Sequence, residues 1–222
     1  MNESALRQAI VDHCRRFAPA GLSIGTSGNI SVRFRDAAFD GLLITPSGVD
    51  YTALQPEQIA RMGLDGAWTG PLKPSSEWRF HRDIYVARPD AGAVVHAHPM
   101  HATALATQRR SIPSFHYMVA AAGGHDIRCA PYATYGTEEL SQHALAALQD
   151  RSACLLGNHG LIALGVDLPH AFNLAVEVET LAQQYLLALS TGGPVLLDGA
   201  EMDRVLEKFK SYGVNAQKAQ KQ

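Results

Sequence analysis

The hydrophobic positions of this chain change period repeatedly, from the three-to-four spacing of helices to the alternation of strands. From Ser4 to Phe17, the residues Leu6, Ala9, Ile10, His13, Cys14 and Phe17 recur at helical spacing and predict an amphipathic helix with one face on a core, ended by Gly21. Gly25-Thr26-Ser27-Gly28-Asn29-Ile30-Ser31-Val32-Arg33-Phe34 reads as a small-residue loop running into an alternating strand. A second strand, Leu42-Leu43-Ile44, closes at Thr45-Pro46-Ser47-Gly48. Ala53 to Met62 predicts a short helix with Pro56 in its first turn, and Gly63 to Gly66 a polar turn. Lys73 to Arg88 turns helical, with Phe80, Ile84 and Ala87 on one side, Ser75 or Ser76 as N-cap and a stop near Pro89.

The valine-rich run from Ala93 to His98, closed by Pro99, predicts a buried strand, followed by a helix from Met100 to about Gln108. Ser111 to Tyr117 is a loop or strand leading into Met118-Val119-Ala120-Ala121-Ala122-Gly123-Gly124. Thr137-Glu138-Glu139 opens a helix running to about Asp150, with a capping threonine and two acids at its positive end. Ala153 to Gly157 and Leu161 to Gly165 form strands joined by a tight turn with His159 at its tip. Pro169 to Ser190 is a long helix, Val195 to Asp198 a short extended piece, and Glu201 to Tyr212 a last amphipathic helix before a frayed, lysine- and glutamine-rich tail. With no internal repeat and no linker, residues 1–222 are expected to form one α/β domain.

Composition narrows the function by exclusion. A net charge of -2 leaves no electrostatic footprint for nucleic acid or an anionic membrane, so any bound anion must be held locally. Cys14, Cys129 and Cys154 are odd in number and widely spaced, which favours reduced, buried thiols over a disulfide scaffold. Together with the lack of a basic and apolar leader at Met1-Asn2-Glu3-Ser4 and of a membrane-length apolar run, this predicts a cytoplasmic protein.

The candidate chemistry centres on His96 and His98. Residues two apart on a strand share a face, so the two imidazoles project together, and Pro99 holds His98 in an extended backbone. Such a pair supplies two nitrogens at one edge of a tetrahedral metal site. Glu77 and the turn-tip His159 would complete a mixed carboxylate and imidazole set. By pattern alone Glu77 is better explained as an acid favoured by the helix dipole, and Glu77 with His81 could form a helix-face pair. His101 is the nearest rival ligand, but the change from strand to helix turns it away. Two loops, Gly25 to Ser31 and Thr45 to Gly48, have the ingredients of an anion-binding nest, as does the serine-bearing helix end at Ser75 and Ser76. No P-loop or dinucleotide fingerprint occurs, and Tyr117 has no role fixed by pattern.

Taken in order and spacing, Gly25-Thr26-Ser27-Gly28-Asn29-Ile30-Ser31, Thr45-Pro46-Ser47-Gly48, Pro74-Ser75-Ser76-Glu77, His96-Ala97-His98-Pro99 and Asn158-His159-Gly160-Leu161-Ile162 resemble the class II aldolase/adducin family. The likeness extends through His116 to Gly124, Ala130 to Thr137 and Lys208 to Gly213, nearly the whole chain. It implies a central, mostly antiparallel sheet flanked by helices on both faces, assembled as a homotetramer with active sites between subunits. It also implies Zn2+, or another divalent transition metal, on His96, His98 and His159, with Glu77 as the resting fourth ligand.

The resemblance further implies a phosphorylated sugar as substrate, its phosphate held by Gly28, Asn29, Ser47, Gly48, Ser75 and Ser76. Tyr117 would reach in from a neighbouring subunit, with Tyr135 and Tyr212 near the aldehyde end. The expected reaction is aldol cleavage of a ketose 1-phosphate, with Glu77 shuttling the proton at C3, Tyr117 handling the proton on the C4 oxygen, and no lysine Schiff base. Family members that epimerise ribulose 5-phosphate are expected to carry aspartate at the Glu77 position. Dehydratases of methylthioribulose 1-phosphate share the zinc and the glutamate. A non-catalytic adducin-like module is expected to have lost ligands that this chain retains. Asn158 stands where the fuculose-phosphate enzymes are expected to carry a second histidine, which leaves the substrate's tail open.

Overall fold

The computed structural model describes residues 2–210. Eight strands form one sheet: β1 (Asn29–Asp36), β2 (Phe39–Ile44), β3 (Ala60–Gly63), β4 (Trp68–Thr69), β5 (Ala93–Ala97), β6 (Cys129–Ala130), β7 (Ala153–Leu156) and β8 (Gly160–Gly165). Their order is β4-β3-β2-β1-β5-β8-β7-β6, and every neighbouring pair is antiparallel except β6 with β7. The helices are α1 (Glu3–Arg15), α2 (Trp78–Ala87), α3 (Met100–Thr107), α4 (Glu138–Ala147), α5 (Leu168–Ser190) and α6 (Gly199–Lys210). This is the expected α/β architecture, a mostly antiparallel sheet flanked by helices on both faces.

Period-two burial separates two cores. Ile30, Val32, Val95, Ala97, Leu161 and Ala163 face one side, where α1, α3, α5 and α6 pack with Ile10, Leu105, Phe172, Leu181 and Met202. Val94, Ile162, Leu164, Leu42 and Ile44 face the other, against α2 and α4 through Phe80, Ile84, Leu140 and Ala144. On β1 the residues of opposite parity, Asn29, Ser31 and Arg33, therefore point to the α2 side. There Arg33 Nη1 donates to the Tyr85 carbonyl at 2.7 Å.

Several local expectations need correction. Ala53 to Met62 is not a helix. A 3-10 turn at Pro56–Gln58, closed by reciprocal hydrogen bonds of Gln55 and Gln58, leads into β3, where Ala60 and Met62 are buried and Arg61 and Gly63 are not, an alternation that four residues make hard to distinguish from a helical spacing. The N-cap of α2 is Glu77, not a serine: Ser75 Oγ instead accepts from the Glu77 amide at 3.2 Å, one residue ahead of the helix. Tyr117–Ala122 forms a 3-10 helix, while Val195 to Asp198 lies outside any strand and is tied to the fold by Leu197 N donating to Ser114 O at 2.8 Å. Thr137 caps α4, its Oγ1 accepting from the Leu140 amide at 3.2 Å, and the cysteines are free. Among the described residues no helix is long and apolar enough to cross a membrane. Tyr212 and the tail lie outside the described residues.

Candidate metal centre and adjoining cleft

The site forms where β5 ends beside the β7–β8 turn and the start of α2. Antiparallel register sets Asn29 opposite His96 and His96 opposite Ile162, so residues distant in sequence share one face. The β7–β8 turn needs two special residues. Asn158 takes a left-handed backbone (φ 56°), which asparagine tolerates better than most side chains. At Gly160 a Cβ would stand 2.4 Å from the Ala97 carbonyl and 2.7 Å from the His98 ring. The turn can therefore close over His98 only with glycine there, and this brings His159 to the cluster.

Glu77, His96, His98 and His159 each offer one ligand atom, all within 4.8 Å of one another. His96 Nε2 is 2.9 Å from His98 Nε2 and 3.2 Å from Glu77 Oε2, and His159 Nε2 is 3.1 Å from Glu77 Oε1. Ligands about 2.05 Å from a tetrahedral ion lie roughly 3.3 Å apart, so these separations suit one cation. The hydrogen-bond pattern points the same way. His96 Nδ1 donates to the Leu161 carbonyl at 2.8 Å, which leaves the Nε2 lone pair facing the cluster. Glu77 Oε1 is buried and, despite its nearness to His159, makes no aligned hydrogen bond.

The electrostatics agree. Burial resists ionisation of Glu77, but the His96 and His159 imidazoles outweigh it and hold the carboxyl well below the usual range. Burial, reinforced by His96 and His159, pushes His98 down to about 3, so its imidazole is neutral and able to ligate.

His101 is turned away and pairs with Glu179 at 2.6 Å, while Glu179 also accepts from the His101 and Ala102 amides at the start of α3. His81 is no ligand. Completely buried behind the cluster, it lies 2.5 Å from Asn29 Oδ1 and 2.7 Å from Ser31 Oγ. The Asn29 side chain in turn donates to Glu77 Oε2 at 2.9 Å, a role its place in a small-residue loop gave no sign of.

The three loops with anion-binding composition are knit together. Thr45 N donates to Ile30 O, Ser75 N to Thr45 O at 2.9 Å, Ser47 N to Lys73 O, and Pro46 bridges Pro74. Gly28 and Gly48 both have positive φ (83° and 72°). Gly28 also needs its missing side chain, because a Cβ would stand 2.7 Å from the His96 carbonyl, whereas the space at Gly48 is open. Ser47, Gly48 and Ser76 are exposed, and Ser75 is buried.

A cleft of about 350 Å³ opens above the cluster, lined by Ser76, Glu77, His98, Tyr132, Ala133, Tyr135, Asn158 and His159. Tyr135 therefore stands at the site, held there because Gly136 (φ 76°) packs onto the Ser76 carbonyl, 2.7 Å from where a Cβ would be. Tyr132 and Ala133 join it without any signal in the sequence. Tyr117 does not: half-exposed, it lines a separate cavity of about 780 Å³ with His116, Leu197, Glu201 and Arg204.

Residues 8–186 match the family of Class II Aldolase and Adducin N-terminal domains. The chain is 57% identical over 213 residues to a 5-methylthioribulose-1-phosphate/5-deoxyribulose-1-phosphate aldolase of Rhodospirillum rubrum, covering 96% of this chain and 95% of that relative. It is 50% identical over 215 residues to an L-fuculose phosphate aldolase of Escherichia coli K12, covering 96% and 98%. A solved L-fuculose 1-phosphate aldolase superposes with a TM-score of 0.90 at 42% identity, over 95% of this chain and 98% of that one. The chain thus belongs to the class II aldolase/adducin family.

Proposed function

We propose that this protein is a metal-dependent aldolase that reversibly cleaves a ketose 1-phosphate to dihydroxyacetone phosphate and an aldehyde. The observation that carries this reading is the convergence of Glu77, His96, His98 and His159 beneath a cleft that Ser76, just ahead of α2, also lines. The four side chains would hold Zn2+, and the bound ion would supply Lewis-acid stabilisation of the negative charge that develops on the ketose oxygens.

The chain's own residues do the rest. Gly28, Asn29, Ser47, Gly48, Ser75 and Ser76 hold the phosphate, Ser47 and Ser75 through their hydroxyls because their amides already donate to the Lys73 and Thr45 carbonyls. When the C3–C4 bond breaks, its electron pair stays on C3 and the C4 hydroxyl becomes the aldehyde carbonyl. Glu77, ionised at rest, first takes up a proton from water and then delivers it to C3, consistent with an Oε1 that has no hydrogen bond to lose. Tyr117 relays the proton of the C4 oxygen to water, giving up its own as it accepts, so one proton enters and one leaves. Its place outside the cleft of its own chain fits entry from a neighbouring subunit of a homotetramer. Tyr135 lies at the aldehyde end, with Tyr212 assigned there by resemblance alone. A cytoplasmic setting suits the free, largely buried cysteines.

For the substrate's tail, the reading favours 5-deoxyribulose 1-phosphate and its 5-methylthio analogue over L-fuculose 1-phosphate. Asn158 already accepts from Arg109 Nε at 3.1 Å and donates to Thr107 O at 3.3 Å, so both halves of its amide are engaged. The wall beside it is Tyr132, Ala133 and Tyr135, which suits a tail with little hydrogen-bonding demand. The relative named for those two pentulose phosphates supports the same order.

The test is release of dihydroxyacetone phosphate from fuculose, rhamnulose, ribulose, 5-deoxyribulose and 5-methylthioribulose 1-phosphates, with and without chelator. Chelator-sensitive release, fastest from the 5-deoxy or 5-methylthio substrate, is the expected result. Loss of water or a change of epimer without release would replace the aldolase by a dehydratase or an epimerase.

A further inference from the structure

Behind the ligand cluster lies a line of buried polar groups, Tyr85, Ser31, His81 and Asn29, all on the α2 side of β1, of which the reaction as described uses only Asn29. Tyr85 Oη is 2.8 Å from Ser31 Oγ, Ser31 Oγ 2.7 Å from His81 Nδ1, His81 Nε2 2.5 Å from Asn29 Oδ1, and Asn29 Nδ2 2.9 Å from Glu77 Oε2. All four residues are buried, so their polar atoms must find partners within the protein.

The directions of these bonds follow from one end. An ionised carboxylate only accepts, so the Asn29 group facing Glu77 is its NH2 and the group facing His81 is its carbonyl oxygen. His81 must then carry its proton on Nε2. A neutral imidazole has one proton, so Nδ1 is an acceptor and takes the Ser31 hydroxyl hydrogen. Ser31 Oγ, having spent its hydrogen, accepts from Tyr85. Each of these four bonds then points toward Glu77.

We infer that His81, held by Ser31 and Tyr85, is a positioning residue: it locks the Asn29 amide in the one orientation that donates to Glu77 Oε2 and leaves Oε1 to face the ligand centre. An amide flip at Asn29 would set a carbonyl oxygen against the carboxylate and an NH2 against the His81 N–H, two repulsions in a dry environment. The brace acts on the carboxylate as outer-shell partners act on a metal site, where their loss costs roughly 10- to 100-fold in affinity or activity. Its kinetic consequence rests on the aldolase reading, but its geometry and its effect on metal binding do not.

The experiment has three readouts. In the metal-free wild-type protein labelled with 15N in its imidazoles, His81 is expected to show a protonated Nε2 and an unprotonated Nδ1; the opposite tautomer overturns the inference without any variant. His81→Phe keeps the ring volume and removes the donor, whereas His81→Gln offers a carboxamide NH2 to Asn29. Competition with a chromophoric chelator should show His81→Phe binding Zn2+ about tenfold more weakly and His81→Gln recovering most of that loss. With the preferred ketose phosphate, His81→Phe should lower kcat about tenfold with KM within about twofold. A merely structural role would depress thermal stability in both variants without the rescue or the split. Unchanged zinc affinity in His81→Phe overturns the inference. Absence of cleavage in every variant and in the wild type would remove the aldolase reading while the tautomer and the zinc competition still decide the brace.

Discussion

His96 and His81 make the instructive pair in this molecule. Both are completely buried, both lie between β1, β5 and α2, and both have a hydrogen-bonded Nδ1. The partner of that nitrogen decides what each can do. Opposite His96 it is a backbone carbonyl, which can only accept, so Nε2 is left as a lone pair aimed at Glu77 and the other histidines. Opposite His81 it is a serine hydroxyl, which can donate, so Nε2 becomes a donor to Asn29. A ligand and a brace thus differ by one hydrogen-bonding partner and not by burial or residue type.

The sharpest way to break this comparison is to remove the ligand. His96→Ala strips one direct donor from the cluster and leaves Glu77 without the neighbour that most favours its ionised form. Loss of an outer-shell group costs about 10- to 100-fold, so loss of a direct ligand is expected to exceed about 100-fold in Zn2+ affinity and to abolish measurable cleavage. Zinc per chain after dialysis, by atomic absorption, is the check. A variant that retains one zinc per chain with wild-type affinity would refute the assignment of His96.

Next in size is Glu77→Gln, which separates holding the metal from moving the proton. The amide keeps an oxygen for the ion but has no basic carboxylate, so zinc should remain bound while kcat falls by roughly 10²- to 10⁴-fold, the usual range for a lost acid–base group. Undiminished turnover in this variant would remove Glu77 as the proton shuttle, leaving it a ligand only.

How much of this arrangement the sequence carried depends on the range of the signal. His96 and His98 were legible because a strand's period of two is strictly local, and Thr137 and His159 because caps and tight turns have short-range chemistry. The corrected elements are those whose patterns are too short to choose a period: Ala60–Gly63 alternates over only four residues, and Trp68–Thr69 and Cys129–Ala130 are two-residue strands defined by their neighbours alone. The division of labour between His96 and His81 was not legible, since it turns on cross-strand register and on Ser31, which lies 50 residues from His81. Tyr132 lines the cleft where its backbone runs close against Gly157, 3.1 Å from where a Cβ there would be, a contact between distant segments that no spacing within either one records.

The smallest expected effect tests whether His81 stays neutral inside the fold. Burial, with repulsion from His96, pushes its imidazole down to about 3, against about 6.5 in an unfolded chain. Below pH 6.5 the unfolded state therefore binds a proton that the folded state refuses. The stability this confers is complete above pH 6.5 and is lost progressively as pH falls toward 3, at up to about 1.4 kcal/mol per pH unit. Carboxylates and other histidines titrate in the same window, so the comparison must be with a variant lacking only this group. In chelator-treated protein, His81→Gln should lose about 1.5 kcal/mol less than wild type between pH 6.5 and pH 5, measured by denaturant unfolding at each pH. Parallel losses in the two proteins would mean that the folded state accepts the proton on His81. A doubly protonated ring could not accept from Ser31, and the single direction of bonds that distinguishes His81 from His96 would be gone.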